Sequence, residues 1–410
     1  MRHVRLLLPR PRVEDPERAA YDALSGLDLS GRVQGRRIAI TAGSRGIAGI
    51  AGILRGAVSC LRRLGAEPVV VAAMGSHGGG TEDGQRRILA HLGITEEAVG
   101  APISTSMETA VIGRAPGGLE VHCDAVAAGC DGILVVNRIK QHTAFAEPFG
   151  SGLMKMLAVG LGKVEGASQI HRQGAVHLPD AIRAAAQVYL NRGMVVAALG
   201  IVENAYDETA AVEAILPQDM MARELALYAH SCSLLPRLPV DELDVLVVDE
   251  VGKVYAGTGM DPRVIGRRRI QGLPEPSSPS VGRVVALRLS PLSEGNAQGI
   301  GLADLTTRRL VEAIDRDATY LNTITSTFLQ RGFIPVTLAS DCEAIATALD
   351  TLGVGDPAVA RIIRISNTLH LERLRASPAV VAEIGERPDV EVGPEAPWEF
   401  LPDGHLADLP

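Results

Sequence analysis

Aromatic side chains are scarce in this chain of 410 residues, which has five Phe, one Trp and six Tyr. Stacking of single-stranded bases needs such faces, so a nucleic-acid partner is not expected. An excess of positive charge is missing as well. The net charge is −8 and the pI is about 5.7, the wrong sign for holding a polyanion by electrostatics. The five cysteines never form a Cys-x-x-Cys pair. That pattern speaks against a disulfide framework, a thiolate-rich zinc site and a self-contained iron–sulfur cluster, and reduced cytosolic thiols are the expectation. No run approaches the length of a membrane span, about 20 apolar residues. The N-terminal Leu6-Leu7-Leu8 is cut off by Pro9, too short for a signal-peptide core. A cytoplasmic chain without a membrane partner is expected.

What is present in quantity is aliphatic. Hydrophobic residues make up 46% of the chain, mostly Ala, Val, Leu and Ile, the profile of strands buried on both faces. The length exceeds what one core serves, so two domains are expected. Strands are predicted at Arg37–Ala42, Pro68–Ala73, Gly132–Val136 and Met194–Val202. Helical patterns fall between them, at Gly49–Leu64, from Thr81 as a cap to His91, near Ser151–Gly162 and Gly166–Arg172, and at Pro179–Asn191. The rhythm is that of a mostly parallel sheet wrapped by helices. Leu234-Leu235-Pro236-Arg237-Leu238-Pro239 breaks it and marks a junction between domains 1–235 and 236–410. Beyond it, strands at Leu243–Val248, Val281–Leu289, Phe333–Thr337 and Arg361–Ile365 start a second α/β series. The last ~20 residues, rich in Pro and acidic, read as an irregular tail.

Ligands of parallel sheets sit at the carboxyl ends of the strands. The polar loops after the first three strands carry Arg45, His77 and His142, and three loops from one edge make a site. Gly43-Ser44-Arg45-Gly46 offers backbone N–H groups and a two-pronged guanidinium to an anion, or is an ordinary turn with a surface Arg. His77 lies among the glycines of Gly75–Gly80, where little bulk separates its ring from a ligand; its neutral-range titration suits acid–base work. Lys155 sits between Met154 and Met156 in an apolar run, so it is paired, neutral, modified or snorkelling. A desolvated Lys is also a nucleophile or an attachment point. His171 alone is not a metal site, because the HxxxH and HExxH spacings are absent.

Taken in order, these residues resemble the lactate racemase family, whose members bind a nickel-pincer nucleotide. Gly43-Ser44-Arg45 is similar to that family's Arg-bearing loop, and Gly75-Ser76-His77 to its Gly-Thr/Ser-His loop. His142, then Gly152-Leu153-Met154-Lys155, then His171 resemble its catalytic His, cofactor-bearing Lys and nickel-binding His. The likeness spans most of the chain and is strongest from Ile38 to Gly174. It implies an α/β fold of two domains with mostly parallel sheets and an interdomain active-site cleft. It further implies that Lys155 carries the nickel-pincer nucleotide covalently and that His171 ligates nickel. His77 and His142 would act as paired acid and base on a 2-hydroxy acid. Arg45, with Ser44 and Gly75 beside it, would hold cofactor or substrate anions. Enzymes of cofactor biosynthesis would then be partners for loading, and oligomeric state is left open, a homo-oligomer included.

The sequence also departs from the lactate-specific pattern. Gly43 and Ser44 stand where the racemases tend to carry Asp and Thr. The segment before Lys155 is a few residues longer and holds Glu147 and Pro148. In the second half, Asp249-Glu250-Val251-Gly252-Lys253 and Gly257-Thr258-Gly259-Met260-Asp261-Pro262 have no lactate-enzyme counterpart. Glu250 and Lys253 are candidate substrate contacts, and an interdomain latch or a structural turn is the plainer reading. The expected activity is inversion at C2 of a 2-hydroxy acid. The alternatives are a lyase or dehydratase using a simple metal, and a non-catalytic binder of anionic metabolites.

Overall fold

The computed structural model describes residues 1–141, 149–326, 328–353, 356, 358–395, 397–407 and 409. His142 and Glu147 lie outside the described residues. The chain divides into two compact units, Pro9–Leu235 and a second made of Pro236–Pro410 together with Met1–Leu8. The first eight residues thus correct the sequence-based boundary. Strand β1 (Arg2–Leu6) pairs antiparallel with two strands from the end of the chain, and Val4 and Leu6 are buried in that unit's core.

The Pro9–Leu235 unit is built on a six-stranded sheet. Its strands are β2 (Arg37–Ala42), β3 (Glu67–Ala72), β4 (Ile103–Ser104), β7 (Gly132–Arg138), β8 (Val195–Glu203) and β9 (Thr209–Ile215). The order is β4-β3-β2-β7-β8-β9, parallel throughout except for antiparallel β9 at the edge. Side chains of β2, β3, β7 and β8 are buried on both faces, which is why these strands read as unbroken aliphatic runs. A hairpin of β5 (Thr109–Arg114) and β6 (Glu120–Asp124) stands apart from this sheet.

Helices cover the sheet. Thr81 accepts a hydrogen bond from Gly84 N at 3.1 Å and caps the Glu82–His91 helix as its sequence predicts. Asp15 does the same for Pro16–Ser25 through Arg18 N at 2.9 Å. That helix crosses Ile50–Arg63 so closely at Gly56 that a Cβ there would overlap the Glu17 carbonyl oxygen.

The second unit holds an eight-stranded mixed sheet. To β1 it adds β10 (Glu242–Val251), β11 (Ser280–Leu289), β12 (Leu305–Thr307), β13 (Val336–Leu338), β14 (Ile362–Ile365), β15 (Arg373–Ala376) and β16 (Val390–Glu395). The order β13-β12-β11-β10-β14-β15-β1-β16 is parallel from β13 to β14 and antiparallel beyond. The tail expected to be irregular therefore begins as a strand, because β1 offers β16 a backbone edge to pair with. Among the described residues no helix is long and apolar enough to cross a membrane.

Candidate active site

Strands β7, β2 and β3 lie side by side and run the same way, so the loops leaving their carboxyl ends emerge on one edge. The Ser44 hydroxyl hydrogen-bonds His77 Nδ1, joining the β2 loop to the β3 loop. That contact orients the His77 ring through its Nδ1 nitrogen. Next to this pair is a cavity of about 410 Å³ lined by Ser44, Gly78, Gly84, Arg87, Ile88, His91 and Leu92. A larger one, about 740 Å³, lies in the second unit and includes no candidate residue among its lining side chains, so size alone does not locate the chemistry.

The β3 loop packs on the segment that carries Lys155. Gly75 N donates to Gly160 O at 3.1 Å, and Gly75 has φ +58 with Val159 O against the place of a Cβ. A side chain here would be both strained and crowded. Gly43 is confined more softly, with the flexible Met156 Cε 3.1 Å from where its Cβ would be. The end of β7 holds the same segment, since Asn137 Nδ2 donates to Gly152 O at 2.8 Å. Residues Leu153–Lys155 form one helical turn, which passes into a π-helical turn over Met156–Gly160. Such π turns widen the helix locally and are frequent at functional positions. The following helix, Lys163–His171, ends at His171.

Electrostatics tie these residues into one cluster. Burial, and then the neighbouring Arg45 charge, bring the Lys155 ammonium down to about 8. Arg45 keeps solvent contact but is crowded on one side. Its own pKa falls through that desolvation and through the nearby Arg138. Arg138 is neutralised by Glu203 in a short ion pair, and Glu203 also accepts from Ala48 N at 2.7 Å. Among the described residues no carboxylate pairs with Arg45 or Lys155. His171 is likewise crowded although its edge is exposed, and burial followed by the Lys155 charge lowers its pKa, favouring the neutral imidazole. Arg45, Lys155 and His171 thus form a cationic cluster with one neutral nitrogen donor and a basic amine.

One residue of this cluster was not singled out in the sequence. Glu224, on the Met220–Leu234 helix, is buried and accepts from Met154 N at 2.9 Å, holding the start of the Lys155 turn. Its carboxyl group meets Gly152 so tightly that a Cβ there would overlap Oε1. Burial raises Glu224 to about 8, against the opposing pull of the Met154 and Leu153 amides, so it is protonated at neutral pH. A signal existed. Glu224 falls on the stripe Met220, Leu227, Ser231, Leu234 that the helix buries.

Glu250 and Lys253 belong to the other unit. Glu250, next to last in β10, lies opposite Arg288 of β11 and accepts from the Tyr255 hydroxyl. Lys253 Nζ donates to Asn322 Oδ1 at 3.1 Å, and the His370 ring meets Tyr255 edge-on at 6.4 Å. The Gly257–Pro262 loop is tied within its own unit. Gly252 N donates to Gly259 O, Asp261 N donates to Thr368 Oγ1, and Asp261 caps the next helical turn. A structural turn accounts for these hydrogen bonds.

Comparison by sequence finds no matching family model and no matching curated protein. Comparison of structures finds the lactate racemase apoprotein of Thermoanaerobacterium thermosaccharolyticum, with a TM-score of 0.55. Its identity is 13%, and the match covers 88% of this chain and 95% of that one. The chain has a lactate-racemase-like fold. A Thermotoga maritima protein is similar more loosely, with a TM-score of 0.48 and 15% identity over 80% of this chain and 83% of that one. At such identities the likeness speaks for the fold, and the chemistry rests on the residues.

Proposed function

We propose that this lactate-racemase-like chain is an isomerase that inverts C2 of a 2-hydroxy acid with a nickel-pincer nucleotide carried on Lys155. The observation that carries the reading is the Lys155 amine, brought to about 8 by burial and the Arg45 charge, and near enough to His171 for its own charge to favour the neutral imidazole there. A neutral, desolvated amine is what covalent attachment requires, and Arg45 supplies an unneutralised cation for a phosphate or carboxylate. Among the described residues no three His, Cys, Asp or Glu side chains are grouped as a metal ion needs. His171 can give one nitrogen, and the other donors would arrive with the cofactor, as a pincer ligand provides. The donor set therefore fits the group.

When bound, the cofactor supplies a reversible hydride acceptor for C2. The protein handles the proton and the aim. His77, steadied by Ser44, takes the hydroxyl proton on one face of the substrate. His142, placed by the sequence resemblance alone, would serve the other face. Arg45 clamps a carboxylate or the nucleotide phosphate. Glu250 and Lys253 enter this reading only as sequence-based candidates for substrate contact, and cofactor-loading enzymes as implied partners.

The test is intact mass and nickel analysis of the chain co-expressed with the pincer-nucleotide biosynthesis enzymes. The expected result is an added mass mapping to Lys155 and about one nickel per chain, as one attachment point and one donor imidazole imply. An unmodified mass under conditions that load a known racemase overturns the reading.

A further inference from the structure

We propose that Gln85, Lys163 and Asp124 form a buried positioning network that fixes the His77 loop. The inference rests on the reading of His77 as a proton carrier. None of the three is reached by solvent. Gln85 uses both ends of its amide. The Nε2 group donates to Gly75 O at 2.9 Å and to His77 O at 3.3 Å, spanning the loop, while Oε1 accepts from Lys163 Nζ at 3.3 Å. Lys163 Nζ also donates to Ala72 O, the last carbonyl of β3, and lies 3.0 Å from Asp124 Oδ2 in an ion pair. The other Asp124 oxygen accepts from Ala127 N at 2.8 Å.

Lys163 has φ +52, a conformation that bulky residues rarely adopt, and it opens the helix that ends in His171. The network therefore ties the end of β3 and the start of the His171 helix to the Lys163 ammonium, and through the Gln85 amide it adds both carbonyls of the His77 loop. Burying two charges costs several kcal/mol per ion before pairing, and an apolar pair of equal volume would fill the space without that cost. What an apolar pair lacks is an ammonium aimed at the last β3 carbonyl and at the Gln85 amide that holds the two loop carbonyls. Fully buried, the trio offers no room to a ligand. Its output is the orientation of His77 toward Ser44, and Gln85 is a positioning residue.

The test reads His77 directly in the cofactor-free chain. With ¹³C- and ¹⁵N-labelled histidine, and His77→Gln for assignment, the neutral tautomer ratio of the ring is measured by NMR. The wild type is expected to show one dominant tautomer, held by Ser44, and Ser44→Ala to lose that dominance. Gln85→Glu keeps an acceptor for Lys163 but cannot donate to both carbonyls, and Gln85→Leu removes both functions. Each is expected to move the ratio toward that of Ser44→Ala by about fivefold, the net worth of one hydrogen bond. Gln85→Glu retains the ion-pair partner, so it serves if Gln85→Leu fails to fold. A wild-type tautomer ratio in folded Gln85→Glu overturns the proposal. A missing adduct on Lys155 with the tautomer effect intact sinks only the racemase reading.

Discussion

Lys155 is one of four lysines in the chain, with Lys140, Lys163 and Lys253. Its pKa near 8 makes it nucleophilic at lower pH than an ordinary lysine. Limited labelling with an acylating reagent, mapped by peptide mass, is expected to reach half its plateau rate at Lys155 near pH 8. Arg45→Gln removes a repelling cation, so the Lys155 pKa rises and the labelling profile moves to higher pH. Burial is the larger cause and persists, so the profile stays below the ordinary lysine range near 10.4. An unmoved profile would mean that the two charges do not interact. At Glu224 the linkage has the opposite form. The unfolded carboxyl loses its proton near 4.5, while the folded one keeps it to about 8. Folding stability is thus full below pH 4.5 and declines as pH rises from there toward 8, by up to a few kcal/mol. Glu224→Gln keeps an acceptor for the Met154 amide and cannot ionise. Its urea midpoint is expected to stay level between pH 5 and 8 where the wild type falls.

At the level of elements, two glycines of one helix face the same neighbour with opposite consequences. Both lie in Ile50–Arg63 against the Pro16–Ser25 helix. A Cβ at Gly52 would make an ordinary 3.4 Å contact with Glu17 Cβ, whereas one at Gly56 would overlap the Glu17 carbonyl. Gly52→Ala should gain up to about 1 kcal/mol from helix propensity. The same gain at Gly56→Ala is outweighed by pushing two backbones apart, for a net loss of about 1–3 kcal/mol in urea titrations. The sequence carries strong signals for the interior strands and for capped helices. The aliphatic runs of β2, β3, β7 and β8 need no partner information, and Thr81 names its own helix start. Strands β1, β4, β5, β6, β9, β15 and β16 carry no such run, because an edge, hairpin or antiparallel strand draws its identity from what it pairs with, and β12, with three residues, is too short to show a pattern. Glu224 escaped for a related reason. It lies 69 residues from Lys155, and only the fold brings its carboxyl to the turn that bears the amine. The loops carrying Arg45 and His77 were legible because each follows a strand that the sequence already shows.

For the whole molecule, the division of the chain matters more than its length. Deleting residues 1–8 leaves the Pro9–Leu235 unit's sequence intact and takes a strand from between β15 and β16 of the other. Hydrogen exchange of the truncated chain is expected to lose protection in β15 and β16 while β2, β3 and β7 keep theirs. Equal loss in both units would show that they fold as one. The position of β1 also has a temporal side. Synthesis runs from the N-terminus, so a segment translated ahead of the whole Pro9–Leu235 unit is among the last to find its place. The Pro9–Leu235 unit can form while β1 waits, exposed, for strands not yet translated. Exposed Arg2 and Arg5 flank the apolar Val4, so the waiting strand carries charge beside its apolar side chains, a safeguard against pairing with a neighbouring nascent chain.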